Sequence, residues 1–582
     1  MISPLSVDFP RRLRALVRAR EVSIIALAAL VGAVAGLTVA AMGAAVDLMH
    51  ATLFALPHDA RLSGAREIEP LRALVPLAGG ILFGLSLALL ARWRPGGEVD
   101  PIEANALHGG RMSFRGSLIV ACQTMWSSGV GASVGLEAGY TQLASGIASN
   151  IGRRLRLRRP DLRLLVGCGA AAAIAGAFGA PIAGAFYAFE LIIGSYTPAS
   201  LAPVGIAALN GYLAPHWLRP TGIIAASSGT VAGTDMLIAS LLGLAAALLG
   251  ITLMRGVELW ERVSSTLRVP VWLRPAIGGA LVGALALMSP QVLGSGHGAL
   301  HLTAMIELPL TTIALIFALK SLASVISLGS GFRGGLFFAS LLIGALGGRL
   351  FAAGGNWLWP DLMLNPDTYA VIGMGALSAS VIGGPLTMTF IALESTGDFW
   401  LATAVLIAVI LSAQLTRELF GYSFATWRFH LRGQTIRSAA DVGWLRDLTV
   451  GRMMRRDVKT VPDDLPLADF RQRIPLGSTS HAVAVDPDGN YAGMVIVAEA
   501  HSVDKPDVQS IAPLLHQRDV MLVPTMNAKE AAAAFDREEA ESLAVVASFA
   551  DRKVIGLMSE AYTLRRYAEE SDRRRRELLG EG

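Results

Sequence analysis

The sequence predicts a polytopic, all-α membrane protein that is followed by a soluble α/β module. Hydrophobic residues make up 53% of the 582 residues and charged residues only 16%, whereas ordinary soluble domains carry about 25% charge. Several uncharged windows are about as long as a helix that crosses a bilayer, roughly 20 residues. After about residue 433 charges become frequent and these windows stop. The composition therefore excludes a disordered chain, a disulfide scaffold and a plain soluble enzyme.

The apolar windows predict the membrane helices. The uncharged ones that approach or exceed the spanning length are 22–46, 73–91, 236–254, 368–393 and 399–416. Shorter apolar pieces, such as 311–319 and 334–348, are expected to be too short to span alone. Many short or broken helices in a polytopic protein favour a transporter or channel with an internal ion site.

Basic segments predict the orientation in the membrane. The first 20 residues contain five arginines against one acidic residue, Asp8, and the apolar run that follows is too long for a signal peptide. A second arginine-rich stretch occupies residues 153–163. Because cytoplasmic segments are enriched in Lys and Arg, both stretches should be cytoplasmic. We expect a multi-pass membrane protein with residues 1–20 in the cytoplasm.

Glu137 is the first candidate functional residue. It is the only charged residue from position 117 to 152, and it lies in a glycine-rich stretch before a predicted helix, 140–155. An ionisable group in the apolar zone is costly and is a functional candidate by default. Helix N-termini attract anions, so the carboxylate could occupy an anion site when ionised and leave it when protonated. The alternative is a buried Glu that a neighbouring amide satisfies.

A second glycine-rich helix start lies about 200 residues later, at 329–339, and its helix is predicted to end near Arg349. One broken helix in each half is what an inverted repeat with a shared midplane site would show. The backbone N–H groups of Leu336 and Phe337 are the predicted anion donors. Arg333 could raise the local anion concentration or simply mark a loop.

Taken together, these segments resemble the CLC family of anion channels and transporters over most of residues 20–433. The stretch Gly-Leu-Glu-Ala-Gly at 135–139 is similar to the family motif G-R/K-E-G-P, and Gly-Leu-Phe-Phe-Ala at 335–339 is similar to G-x-F-x-P. The resemblance implies the CLC fold with inverted repeats and many short or broken helices. It also implies a homodimer with one anion pathway per subunit, in which Glu137 is the gate and proton carrier and Ala138 contributes to anion binding.

The chain departs from the family pattern at two side-chain hydroxyls. The family serine of the first motif aligns with Gly96 or Gly97, and the central tyrosine aligns with Ala425, the inner-gate position. Backbone donors would then carry more of the anion binding, and the inner constriction would be wider. The anion-binding residues expected from the resemblance are Gly96, Gly97, Glu137, Ala138, Leu336 and Phe337.

Three further ionisable residues lie in apolar stretches. The inner glutamate of family antiporters aligns with Leu191, and Glu190 precedes it, either as a structural carboxylate or as a proton relay. Glu394 is expected to be structural. Lys320 is expected to pair structurally, with anion contact as the alternative. Without the inner glutamate, water would have to deliver protons to Glu137.

The C-terminal module contains an internal repeat. The pattern Val-x-x-Val-Pro at 458–462 recurs at 520–524, and each copy continues into a helix and a β-hairpin. Two such copies resemble a tandem pair of CBS domains, here assigned to 447–568, after a linker at 434–446 and before a charged tail at 569–582. The positions that usually hold an adenine nucleotide are Ile496, Glu499, Ser559 and Tyr562. Neither copy has the full binding pair, so a structural or dimerising module is favoured over a nucleotide sensor.

The predicted function is transport of a small monovalent anion, with chloride as the first candidate, in possible exchange for protons. The alternatives are a CLC-type channel without proton coupling and a transporter of bicarbonate, nitrate or fluoride. A magnesium channel would need acidic residues along the path, and a membrane enzyme would need clustered histidines or paired carboxylates. We expect no enzymatic activity, no metal, no cofactor and no nucleic-acid partner. The two cysteines, Cys122 and Cys168, suggest neither a disulfide framework nor a zinc site.

Overall fold

The computed structural model describes residues 21–57, 60–93, 98–216, 231, 233–421, 423, 426–427, 448–502, 509–566 and 569. The chain divides into two compact units, Met1–Asp441 and Val442–Gly582. The first unit is helical. Among the described residues, seven of its helices are long and apolar enough to cross a membrane. The protein is therefore a multi-pass membrane protein.

In its described residues, the first unit contains two successive series of eight helices. The first series is α1 (Glu21–Phe54), α2 (Val75–Trp93), α3 (Pro101–Leu107), α4 (Phe114–Gly129), α5 (Glu137–Arg154), α6 (Arg159–Phe178), α7 (Pro181–Tyr187) and α8 (Pro198–His216). The second series is α9 (Gly233–Thr266), α10 (Arg274–Met288), α11 (His297–Met305), α12 (Leu310–Gly329), α13 (Phe337–Leu358), α14 (Pro366–Ile382), α15 (Pro385–Thr396) and α16 (Phe399–Leu419). A single π-helical turn, Ala188–Ile193, follows α7.

The two series match element by element, which makes them a structural repeat. The helices that open them, α1 and α9, both have 34 residues. Helices α6 and α14 both end at a glycine in the left-handed conformation, Gly179 with φ 67° and Gly383 with φ 87°. Glycine adopts positive φ without steric cost, and a proline two residues later starts the next helix in each half. The sequence thus specifies the same helix break twice.

Three expectations about the helices are wrong. The window 368–393 is not one helix, because the break at Gly383 divides it into α14 and α15. The pieces 311–319 and 334–348 belong to α12 and α13, which have 20 and 22 residues and are long enough to span. Helix α5 begins at Glu137 rather than at residue 140, and α13 continues beyond Arg349 to Leu358. Charge counting ended the predicted pieces of α12 and α13 too early because Lys320 and Arg349 lie inside these helices.

Close helix packing explains part of the glycine content. Gly344 of α13 and Gly373 of α14 face each other so closely that a Cβ on either would collide with the backbone carbonyl of the other. Small residues allow this approach, which favours van der Waals packing between helices in a bilayer.

The second unit contains a repeated strand and helix pattern. Its elements are α17 (Val450–Met453), β1 (Thr460–Pro462), α18 (Leu467–Arg473), β2 (His481–Val485), β3 (Tyr491–Ile496), α19 (Val497–Ser502), β4 (Leu515–His516), α20 (Ala528–Glu538), β5 (Ser542–Val546) and β6 (Val554–Ser559). Strands β1 to β4 form one sheet in that order, and β5 pairs with β6. In both copies the segment before the helix pairs in parallel with the hairpin, through Val461 and Ala484 in one copy and Leu522 and Val545 in the other.

The segments 1–20 and 434–446, and the tail apart from Glu569, lie outside the described residues.

Candidate functional site

The two glycine-rich helix starts meet each other. Gly135 donates its N–H to the carbonyl of Gly335 at 2.9 Å, and Gly335 donates back to Gly135 at 3.2 Å. This antiparallel bridge joins the two halves of the repeat. An inverted repeat requires that the equivalent segments run in opposite directions, and here they do.

Two serines reinforce this junction in the same reciprocal way. The hydroxyl of Ser327 accepts the N–H of Ser133 at 2.9 Å, and the hydroxyl of Ser127 accepts the N–H of Arg333 at 3.1 Å. Ser127 and Ser327 are both fully buried. Buried backbone N–H groups need partners, so each half satisfies the loop of the other. The junction is therefore a fixed scaffold for the residues that follow it.

Glu137 lies at this junction as the first residue of α5 and is only 3% exposed. Its Oε1 accepts the backbone N–H of Phe338, at the start of α13, at 3.2 Å. In the described part of the chain no hydrogen-bond partner reaches its Oε2. The carboxylate of one half thus occupies the N-terminus of a helix from the other half, where backbone N–H groups favour negative charge.

The predicted donors precede the N–H that contacts the carboxylate by one or two positions. Phe338 supplies that N–H, whereas Ala138, Leu336 and Phe337 line the cavity beside Glu137. The shift arises because α13 begins at Phe337, so the next residue is the one whose N–H points at the acidic group. A sequence pattern does not define a helix start to one residue.

A cavity of about 170 Å³ opens beside Glu137. Its lining includes the starts of α3, α5 and α13 and the side chain of Arg333. Among the polar side chains of the cavity, the sequence indicated Glu137 and Arg333. It indicated no role for the others, which are Glu98, Asp100, Thr124, Thr141, Gln142 and Tyr187. The signal available in the sequence was weak, because threonine, glutamine and tyrosine within apolar helices are common in membrane-helix packing.

A second cavity, of about 370 Å³, touches the residues that flank the first one. Leu136 and Phe338 line it, whereas Glu137 and Phe337 line the first cavity. The two helix starts therefore separate two cavities, with the Glu137 carboxylate at the partition. Charged or titratable side chains of the second cavity include Asp47, His50, Arg61 and His297.

Gly96, Gly97 and Ala425, predicted to replace the family serine and tyrosine, lie outside the described residues. Their roles stay predictions.

Lys320 and Arg333 both take part in structural contacts. Lys320 is fully buried and donates its Nζ to the carbonyls of Val292 at 3.1 Å and Gly294 at 2.8 Å. Arg333 donates its Nε to the Gln123 side chain at 3.2 Å, and it also lines the first cavity. Hydrogen bonds to two backbone carbonyls thus account for the buried position of Lys320. The Gln123 side chain holds Arg333 in place beside the cavity.

Glu190 and Glu394 occupy equivalent places in the two halves. Glu394 accepts the N–H groups of Ile182 and Ala183, at 2.9 and 2.8 Å, at the start of α7. Glu190 accepts the N–H groups of Leu386 and Thr387, both at 2.9 Å, at the start of α15. Each carboxylate therefore caps the broken helix of the other half, and negative charge at a helix N-terminus is stabilising. This geometry supports the structural interpretation of both residues.

Comparison with known proteins agrees with this architecture. A family model described as voltage gated chloride channel matches residues 79–417. The chain belongs to the CLC family. A ClcB-like chloride channel protein of Ralstonia nicotianae is 37% identical over 350 residues, which are 58% of this chain and 81% of the relative. The voltage-gated ClC-type chloride channel ClcB of Escherichia coli is 30% identical over 404 residues, covering 68% of this chain and 95% of the relative.

Solved CLC structures share the fold. A slow cyanobacterial Cl⁻/H⁺ antiporter has a TM-score of 0.62 and 24% identity, and the match covers 70% of this chain and 97% of that chain. A eukaryotic CLC transporter has a TM-score of 0.60 and 19% identity, and the match covers 94% of this chain and 98% of that chain. The second match extends into the C-terminal unit, so the similarity is not confined to the helices.

Gly135 offers a way to displace the Glu137 carboxylate without removing it. A Cβ at Gly135 would collide with the carboxylate of Glu137, whereas one at Gly335 would lie 3.3 Å from Oε2. We expect Gly135→Ala to push the carboxylate off the Phe338 N–H and to raise anion flux at neutral pH by about tenfold, equivalent to about 1.4 kcal/mol. Flux from liposomes measures the effect.

Gly335→Ala is the matched control, because it adds the same methyl group on the other side of the bridge with less overlap. Its flux should change much less. Equal effects of the two substitutions would show that bridge distortion, rather than displacement of Glu137, controls the flux.

Proposed function

We propose that this CLC protein moves a small monovalent anion, with chloride as the first candidate, through the cavity beside Glu137. The observation that carries the proposal is the Glu137 carboxylate on the Phe338 N–H, between two cavities. An anion that reaches this partition needs the same donor that the carboxylate occupies. Glu137 and the anion therefore compete for one place.

Protonation resolves this competition. A neutral carboxylic acid is a weaker partner for a helix N-terminus than a carboxylate, so protonated Glu137 leaves the donor free. In this way Glu137 acts as a gate and carries a proton in the same movement. The relatives include a structure described as a Cl⁻/H⁺ antiporter, which supports proton exchange as the first hypothesis. A channel without proton coupling is the alternative.

Backbone groups, rather than a fixed cation, make up most of the proposed anion site. Ala138, Leu336 and Phe337 line the cavity at the two helix starts, and Gly96 and Gly97 join them in the prediction. Converging N–H groups stabilise an anion without introducing a positive charge that would hold it too tightly. Release into either cavity then remains fast enough for transport.

The remaining assignments follow from the family. We propose a homodimer in a bacterial inner membrane, with residues 1–20 and the C-terminal unit in the cytoplasm. The membrane domain is assigned to 21–433 and a CBS pair to 447–568, supported by the repeated parallel pairing in that unit. We propose no enzymatic role. An adenine nucleotide at the CBS pair is the weaker hypothesis. Glu499 is one of the positions that would hold the nucleotide, and its carboxylate already pairs with His516 at 2.6 Å.

Simultaneous recording of anion and proton flux from liposomes tests the proposal. Purified protein should release chloride, and a chloride gradient should drive protons in the opposite direction. Replacing chloride in turn by nitrate, bicarbonate and fluoride identifies the preferred anion. Chloride flux without proton movement would support the channel, and absence of flux for every anion would contradict the proposed function.

A further inference from the structure

Tyr187 is one of the polar residues of the first cavity, and it has no part in the contact between Glu137 and Phe338. It is the last residue of α7 and lines the first cavity together with Glu137 and Phe337. Thr141, Glu137 and Asp100 line the same cavity. Tyr187 therefore shares this cavity with carboxylates from two different parts of the lining.

Aromatic packing and backbone geometry fix the direction of this side chain. The Tyr187 ring lies 6.3 Å from the Phe337 ring, which in turn lies 4.4 Å from Phe178. The π-helical turn Ala188–Ile193 begins immediately after Tyr187. Single π-helical turns often occur at functional sites, because they change where side chains point.

The other neutral polar side chains of the cavity have already committed their hydrogens. Thr141 donates to the carbonyl of Glu137 at 2.9 Å, and Thr124 donates to the carbonyl of Val120 at 2.8 Å. Gln142 donates from its amide to the carbonyl of Val99 at 2.9 Å and to the hydroxyl of Ser117 at 3.4 Å. Thr141 can accept the phenolic hydrogen when the cavity is empty and release it when a stronger acceptor enters, because hydroxyl hydrogens rotate freely.

We propose that Tyr187 is an anion-binding residue, which donates its phenolic O–H to the transported anion in the cavity beside Glu137. The proposal rests on the proposed anion transport and names a side-chain donor for it. The carboxylates of Glu98 and Asp100 in the lining accept hydrogen bonds but do not donate them when ionised, so the anion needs a donor from another side chain. Hydrogen bonds to an ion are about twice as strong as neutral ones. The hydroxyl therefore contributes affinity without a fixed positive charge.

Tyr187→Phe removes the hydroxyl and keeps the ring. Calorimetric titration of the purified protein with chloride should show about tenfold weaker binding, the size expected for one lost hydrogen bond to an ion. Liposome flux should still respond to pH, because Glu137 is intact. Tyr196→Phe is the matched control, because Tyr196 is 49% exposed and is absent from the cavity lining. Its chloride affinity should equal that of the wild type.

A second variant gives an effect of opposite sign. Thr141→Val removes a hydroxyl acceptor that shares the cavity with Tyr187, so chloride should bind more tightly than in the wild type. Wild-type affinity in Tyr187→Phe would overturn the proposal, as would loss of proton flux with unchanged chloride affinity, which would make Tyr187 a proton relay. If the wild type neither binds nor moves any anion, the proposed function itself fails, and the two failures are distinguishable.

Discussion

Glu137→Gln will remove the pH dependence of anion flux and reduce coupled proton flux to the background level. Glutamine has nearly the same shape but cannot ionise, so it does not hold a negative charge on the Phe338 N–H. The donor then stays available to the anion at every pH. Anion flux should persist, and at neutral pH it should be at least as fast as in the wild type. Paired chloride and pH electrodes on liposomes record both fluxes.

Glu98→Gln is the control for this experiment. Glu98 lines the same cavity, so the substitution removes one acidic group from the lining without touching the junction at Gly135 and Gly335. The flux of Glu98→Gln should retain its pH dependence. If Glu137→Gln responds to pH like the wild type, Glu137 is not the gate.

Glu394→Ala should destabilise the membrane unit strongly and leave the mechanism of the surviving protein unchanged. The substitution removes the acceptor of two N–H groups at the start of α7. Each hydrogen bond to a charged group contributes about 1.5–3 kcal/mol. The loss should lower the thermal unfolding midpoint in detergent by several degrees. Glu394→Gln keeps one acceptor oxygen and should cost less.

The unfolding midpoint and the proton flux of Glu190→Gln distinguish the two interpretations of this residue, a helix cap and a proton relay. Its carboxylate accepts the N–H groups of Leu386 and Thr387 and also the Thr387 hydroxyl, at 2.6 Å. As a helix cap, Glu190→Gln should lower the unfolding midpoint and preserve the proton-to-anion ratio. Loss of proton flux at an unchanged midpoint would instead make Glu190 a proton relay and contradict the structural interpretation.

The sequence predicted the junction because glycine and charge are visible in a linear pattern. Glu137 is an isolated carboxylate next to a glycine-rich helix start, and a second such start lies about 200 residues later. The bridge between Gly135 and Gly335 brings the two starts together. The serines could also have been found, since Ser127 and Gly129 match Ser327 and Gly329 at the same spacing from the bridge. Repeat matching at this level would have predicted their reciprocal hydrogen bonds.

The exact donor and the cavity lining could not be predicted in this way. The N–H that contacts Glu137 belongs to Phe338, the second residue of α13, and a sequence pattern does not define a helix start to one residue. Tyr187 reaches the cavity through the packing of α7 against other helices, which depends on the tertiary fold. The reciprocal capping by Glu190 and Glu394 also joins residues about 200 positions apart. Such contacts leave no local periodicity.

In the proposed mechanism, the transported anion and the Glu137 carboxylate occupy the same place. A crystal structure of Glu137→Gln with bromide, located by anomalous scattering, tests it most directly. We predict a bromide peak at the start of α13, in contact with the Phe338 N–H and next to the Gly135–Gly335 bridge. Bromide bound elsewhere, with the Phe338 N–H still occupied by a protein group, would contradict the claim.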